Sequence, residues 1–599
     1  MRRRPWRIGL LGAVALAAAG CGDDGGGYAT GTAGPGATAG AGTTTAGDSG
    51  GSPTTTAGGT GEPPPEIEDE GDFRVPKASG KFVYSASETT DSVAVIDTAT
   101  LAIEVVGVGQ GPTVVQPIPG QGGQGGAVVV LDQRSDDVAL LRTDEGGATT
   151  VAIHPVTPGA NNLAVSPGGQ FVFVYHDVDG PEQLGPGSDQ ELTVLDTATG
   201  TTYAMTVGAH PREVVFSTDD STAWVITAAG VNVIPFASLG TVGKPPILPV
   251  VADPGIDPAT LEVQVVASEG VALARVDGEP WLAMTDLADG LLTVVDLPAI
   301  PTDLDVAPAG GFAVLTLPDL GGQSSFLELP IALGGKYTQH MVPGEYVGQS
   351  AIAPSGDAML LFTTVDPFAG KRPPPPALPL TEDAYSFGSS SGSSSGGEST
   401  GSSGGESTGG TTGEASTGGS TGEPPPPPPD FDPRQRITLA RRAGPAWELV
   451  TLFVDVPVTS VGVAPNSASA LLVHARDDGN ANAPWSYSLF DLTPKFPLLK
   501  RQTTQAEPGP VLFTPDGGRA AVLLRDDASA IKKVDLVDLG NFIVEPLLLG
   551  SPPEGAGYVD ATQKIFVSQE HPTGRITFVG PNGEVQTVTG YVLNDTVKD

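Results

Sequence analysis

The chain is poor in cysteine and in basic residues, and each shortage removes a class of function. One cysteine, Cys21, stands in 599 residues. An intrachain disulfide is therefore impossible, and so is any metal site built on paired cysteines. Lysine and arginine number 30 against 69 aspartates and glutamates, for a formal net charge of −39. That surface repels phosphate backbones and argues against nucleic acid as a partner. No convincing helical periodicity runs through the chain beyond its first twenty residues, so very little helix is expected. No EF-hand loop, HExxH, P-loop or GxSxG elbow occurs. The apolar run Ile8–Ala19 carries no charge but is too short to span a bilayer comfortably.

That run follows a basic stretch containing Arg2, Arg3, Arg4 and Arg7, and it ends Ala18-Ala19-Gly20-Cys21. Residues 1–20 therefore read as an export signal. The last four residues resemble the bacterial lipobox, departing from its commonest form at Ala18. The resemblance implies lipidation of Cys21, cleavage just before it, and a membrane anchor made of acyl chains. Use of the single cysteine there also removes it as a nucleophile. Gly22 follows where an aspartate would favour inner-membrane retention, so the outer membrane or cell surface is the expected place.

Residues 21–72 carry almost no large apolar side chains, and residues 389–430 are a second tract of Gly, Ser, Thr and Pro. Neither buries enough surface to offset chain entropy, so both are expected to be disordered. The first reads as a tether with a reach of about 40 Å. The second reads as an insertion dividing a folded region into 73–388 and 431–599. Within the tether, Gly47-Asp48-Ser49-Gly50-Gly51 resembles the segment around the nucleophile of chymotrypsin-like proteases. All six histidines follow Ser49, and a low-complexity tract provides no rigid support for a base, so a protease is excluded.

The rest is a repeat. Apolar strands follow small polar turns in "ASGKFVYSAS", "SPGGQFVFVY", "APSGDAMLLF" and "TPDGGRAAVL". They recur about every 45 residues, the spacing of a four-stranded propeller blade. Ten candidate units begin near 82, 128, 171, 223, 281, 312, 359, 471, 520 and 565. The short 281–312 interval points to one merged unit, and an outer strand reads as lost within 235–300. The expected fold is all-β: one closed β-propeller of four-stranded antiparallel blades, seven or more in number. Unit one begins at its second strand, and the terminal Gly-Tyr-Val-Leu-Asn is expected to supply its missing first strand and close the ring. The segments "SVAVIDTATLAIEVVGVGQGP" (92–112) and "ELTVLDTATGTTYAMTVGAHP" (191–211) resemble the YVTN-type β-propeller repeat of bacterial surface and exported proteins.

Second-strand ends carry Asp132, His176, Asp177, Asp286, Asp319, Asp366, His474, Asp477, Asp478, Asp526, Asp527, Glu570 and His571. In equivalent blades these converge on the face bearing the long loops 176–191, 389–429 and 475–485. A ring of carboxylates with a few imidazoles suits a divalent cation or a cationic ligand. Aspartate in a hairpin is also ordinary turn chemistry. The candidate ligand-binding set is His176, Asp177, His474, Asp477, Asp526, Glu570 and His571, with no catalytic residue among them. Asp97, Asp196, Asp296, Asp491 and Asp535 end third strands and are expected to cap turns on the opposite face. Trp224 and Trp281 read as core, Trp485 as exposed near a long loop. Three functions stay open. The favoured one is a non-enzymatic binding or scaffold module at the cell envelope, with an envelope protein or glycan as partner. The others are a lactonase-like propeller hydrolase with a metal in its channel, and a structural envelope or surface-layer component.

Overall fold

A computed structural model describes residues 75–598, apart from 121–124, 179–188, 320–322, 344, 365–435, 445, 455, 477–482, 494–496, 526–530 and 592–596. The predicted signal, the tether, Cys21 and the 389–430 insertion lie outside the described residues.

β-Branched runs separated by polar turns pair with their chain neighbours and leave no residues for crossover helices. The result is ten four-stranded antiparallel sheets with strands in strict chain order; the last sheet has a fifth strand. Helix among the described residues is confined to the 3₁₀ turns Phe236–Ser238 and Pro258–Thr260 and a single 3₁₀ residue at Tyr591. The sheets stand side by side as blades of one β-propeller. Its core is divided into ten apolar clusters, each shared by two neighbouring blades, and the tenth joins blade 10 to blade 1.

Burial within a blade follows from that arrangement. Middle strands are covered on both faces, so Phe82–Ser87, Gly126–Asp132 and Phe171–Tyr175 are buried at every residue. Outer strands such as Ile543–Leu548 are a mixture of exposed and half-buried residues, with none buried there. Each fully buried Val, Leu, Ile or Phe stabilises its seam by about 1.5–3 kcal/mol.

All ten units read from the sequence are blades, which removes the merged unit. The misreading lay in blade 5. Trp281–Asp286 is its third strand, and its second is Val271–Val276. Blade 4 keeps its outer strand as the two-residue pairing of Ile247 and Leu248 with Asn232 and Val231.

Closure also differs from the expectation. Lys77–Ser79 is blade 1's own first strand, paired with Phe82–Tyr84. Val597 and Lys598 pair with the outer strand of blade 10 rather than with blade 1. Of the predicted closing strand, Gly590 and Tyr591 are described, and Tyr591 is 1% exposed within the cluster between blades 10 and 1. Its hydroxyl lies 3.3 Å from Ser85 Oγ. Its ring rests on Gly574, whose φ of +80° and missing Cβ both suit that contact. Side-chain packing closes the ring.

Candidate functional site

In an antiparallel blade the turns alternate between two ends. After the third strands of blades 1, 3, 5 and 9 the turns are short and capped by aspartate, whereas that of blade 4 runs from Pro235 to Ile247 and that of blade 6 from Pro330 to Thr338. Asp97 Oδ1 accepts from the N–H groups of Ala99 (2.8 Å) and Thr100 (3.2 Å). Asp196 does the same for Ala198 and Thr199, and Asp491 accepts from Thr493. Asp286 belongs to this group, not to the second-strand ends, because it closes a third strand and accepts from Ala288. Asp296 ends a fourth strand. Asp535 sits mid-strand and fully buried, paired with Lys533 at 2.8 Å and accepting from the Tyr487 hydroxyl at 3.1 Å. The turn of that blade is capped by Asp538 instead, which accepts from Gly540 and Asn541.

The opposite end carries the inserted chain. From second to third strand the backbone runs from Tyr175 to Glu191, Phe362 to Arg436, His474 to Trp485 and Arg525 to Lys533. Phe362 and Arg436 bound one blade's hairpin, since Leu361 pairs with Thr438. Inserted length on one end of a rigid scaffold is the usual form of a binding face.

The residues predicted for that face are held in separate blades. His176 is 3% exposed with Nδ1 2.8 Å from the Gly159 carbonyl. The Asp177 N–H donates to Asn161 Oδ1 at 2.7 Å. His474 is 2% exposed with Nε2 2.7 Å from Ser488 Oγ. Glu570 pairs with Arg525, and His571 Nδ1 accepts from the Thr573 N–H. Asp477 and Asp526 lie outside the described residues, as do Asp366, Asp478 and Asp527. Among the described residues no three of His, Cys, Asp and Glu gather into a group that could hold a metal ion. Trp224 is core; Trp281 is half-buried with its indole N–H on Glu279; Trp485 lies under the Arg476 guanidinium, 5.5 Å from its ring centre.

Two acidic groupings went unnoticed in the sequence reading. One lies on the first strands of blades 5 to 7. Ser350 donates from its N–H to Asp303 Oδ2 (2.9 Å) and from its hydroxyl to Asp305. Burial, then the neighbouring Asp303, pushes the Asp305 carboxyl well above the usual range, with Glu262 adding to the effect. Glu262 Oε2 is held at 2.7 Å by Arg275, whose side chain is 3% exposed. The other is in blade 2, where burial and the facing Asp137 push Asp132 up to about 8.

A third polar grouping locks the rim between blades 6 and 7. Glu328 accepts from Arg442 and, at 2.8 Å, from the Trp447 indole N–H. The guanidinium covers Phe312 and Trp447, 4.4 and 4.6 Å from their ring centres. Burial would raise Glu328, but the Trp447 and Arg442 bonds outweigh it and hold the carboxyl low. Its contribution is thus present above the ordinary carboxylate range and lost as pH falls through the folded value. Glu328→Gln is expected to cost about 1–3 kcal/mol at pH 7. Urea denaturation at pH 7 and again near pH 3 checks this, since the difference between wild type and variant should fade in acid.

No protein-family description matches the chain, and no curated protein matches it. Solved propellers resemble it at low identity. A eukaryotic initiation factor aligns at 11% identity over 89% of this chain and 96% of its own, with a TM-score of 0.43. The dihydro-heme d1 dehydrogenase NirN aligns at 12% over 81% and 76%, TM-score 0.36. AztD from Citrobacter koseri aligns at 12% over 66% and 90%, TM-score 0.34. The proteins differ widely in what their names describe, and a propeller fold alone assigns no function.

Proposed function

We propose that the chain is a lipid-anchored propeller of the bacterial cell envelope, of the YVTN repeat type, that works as a non-enzymatic binding or scaffold module. One observation carries the binding part: the longest connections, from Tyr175 to Glu191 and Phe362 to Arg436, both leave one end of the ring, whereas the other end carries shorter turns, several of them capped by aspartate. The lipobox-like Ala18-Ala19-Gly20-Cys21 and the Gly/Thr-rich 21–72 support an anchor and spacer. The inserted face then meets an envelope protein or glycan, with the outer membrane or cell surface as its place.

Cys21→Ser is expected to move the protein from the detergent-extractable membrane fraction to the soluble fraction. Unchanged partition would refute the anchor. For binding, a photocrosslinking residue placed at Gln190 or Ala483 should yield adducts in whole cells, while one at Thr199, on the opposite end, should not. Adducts from neither end, or equally from both, would overturn the inserted face as the binding surface.

One observation bears on the hydrolase alternative. Glu262, Asp303 and Asp305 bring three carboxylates onto adjacent first strands, which ring the axis of the propeller. Arg275 and Ser350 already engage oxygens of all three. That arrangement fits a structural patch better than an open metal centre.

A further inference from the structure

We propose that Asp132 and Asp137 together hold one hard cation of the calcium class, at the crossing from blade 1 to blade 2. The two residues end the second strand and begin the third strand of blade 2, directly opposite each other in the ladder. Asp132 is fully buried. Its Oδ2 accepts from the Gly109 N–H of the crossing at 3.0 Å. Its Oδ1 and Asp137 Oδ1 are both buried with no hydrogen-bond donor. Like charges directly opposite in a ladder repel, and a buried carboxylate oxygen without a partner is costly. Something positive belongs between them.

The crossing itself does not need a carboxylate. In blade 10 the corresponding second-strand end is Gln569, whose Oε1 accepts from the Ser551 N–H of its crossing at 3.0 Å. Its Nε2 meanwhile donates to Thr577 Oγ1 at 2.7 Å. An amide therefore ties down the crossing and satisfies its other atom. In blade 2 the equivalent atom is a carboxylate oxygen aimed at a second carboxylate.

No side-chain cation of the described residues fills the gap. Arg134, in the same hairpin, turns to Glu88. Asp91 faces the site from blade 1, its Oδ1 accepting from the Gly111 N–H at 2.9 Å, and adds negative charge. Asp136 is engaged with the Gly159 N–H at 2.8 Å. Gly109 lets Asp137 and Ser135 come this close to the crossing, since a Cβ there would overlap Asp137 Oδ1 and stand 2.6 Å from Ser135 Oγ. Carboxylate and hydroxyl oxygens are the ligands a hard cation takes, with water completing its shell. The competing occupant is a single proton shared by the two carboxylates.

The test is calorimetric titration of the detergent-solubilised full chain, stripped with EDTA, with calcium chloride and then magnesium chloride at pH 8. One calcium ion per chain is expected. Asp132→Asn keeps an acceptor for Gly109, and either it or the half-buried change Asp137→Asn is expected to weaken binding at least tenfold. Thermal melting of each variant shows whether it is folded, so one folded variant suffices. A flat titration of the wild type with both ions would overturn the proposal and leave the shared proton in place. Calcium binding undiminished in folded Asn variants would overturn it too, by placing the ion elsewhere.

Discussion

Tyr591→Ala is expected to destabilise the propeller by about 3–5 kcal/mol, the usual cost of truncating a large buried aromatic side chain. The residue stands at the one seam where the two ends of the ring meet. Its ring packs in the cluster that joins Val83, Ile96, Phe566 and Phe578 across blades 1 and 10. It also sits on Gly574 and reaches Ser85. Removal leaves a cavity between blades that no strand exchange can bridge. Tyr591→Phe keeps the ring and loses the hydroxyl with its 3.3 Å contact to Ser85, at about 1 kcal/mol. Urea denaturation of both variants separates the two contributions. If alanine and phenylalanine behave alike, the packing account of closure is wrong.

Arg275→Met should cost a similar amount, about 3–5 kcal/mol, for an electrostatic reason. Arg275 is buried in blade 5 and bonds Glu262, Asp277 and the Pro301 carbonyl. Removing one member of a buried ion pair strands the other. Glu262 would then face the Asp305 carboxyl without its guanidinium partner. Asp305 already titrates above the ordinary carboxylate value, so stability from its protonated form is present in acid and declines as pH rises through the folded value. The Arg275→Met deficit should accordingly be larger at pH 8 than at pH 5. Combining it with Glu262→Leu should restore much of the loss, because a buried pair replaced by apolar groups is often neutral. A deficit independent of pH and unrelieved by the second change would point to lost packing alone.

Much of the fold was legible because blades repeat a local code. In nine of the ten blades the apolar run after a small polar turn falls in the second strand, as at Phe82, Phe171 and Phe312. Blade 5 escaped because its second strand, Val-Ala-Leu-Ala-Arg-Val, contains Arg275, and a charge within an apolar run reads as an edge or a turn. Pairing with Glu262 and Asp277 and a bond to the Pro301 carbonyl make that position tolerable. Asp535 failed for the reverse reason: Val-Asp-Leu looks like the other strand ends, yet Tyr487 from the neighbouring blade and Lys533 from the same strand hold the carboxylate in mid-strand. The acidic groupings were hidden because Asp303, Asp305 and Ser350 lie in two short first strands of mixed polarity. Asp132 was visible as a strand end. Its facing partner Asp137 was not, since only the ladder register sets them opposite.

Because side chains rather than a shared strand complete the circle, the ring has no privileged beginning. Val75 rests against Gly555 of the last blade, so the two ends of the described chain come together at one seam. Ten seams of one kind make the order of blades along the polypeptide separable from their order around the axis. A circularly permuted chain entering at Arg436 and leaving at Phe362 would preserve every seam. It would break only a hairpin connection that already spans a long excursion. The same property lets such a ring grow by duplication of a whole blade, since a newcomer needs only to match the side chains of its two neighbours.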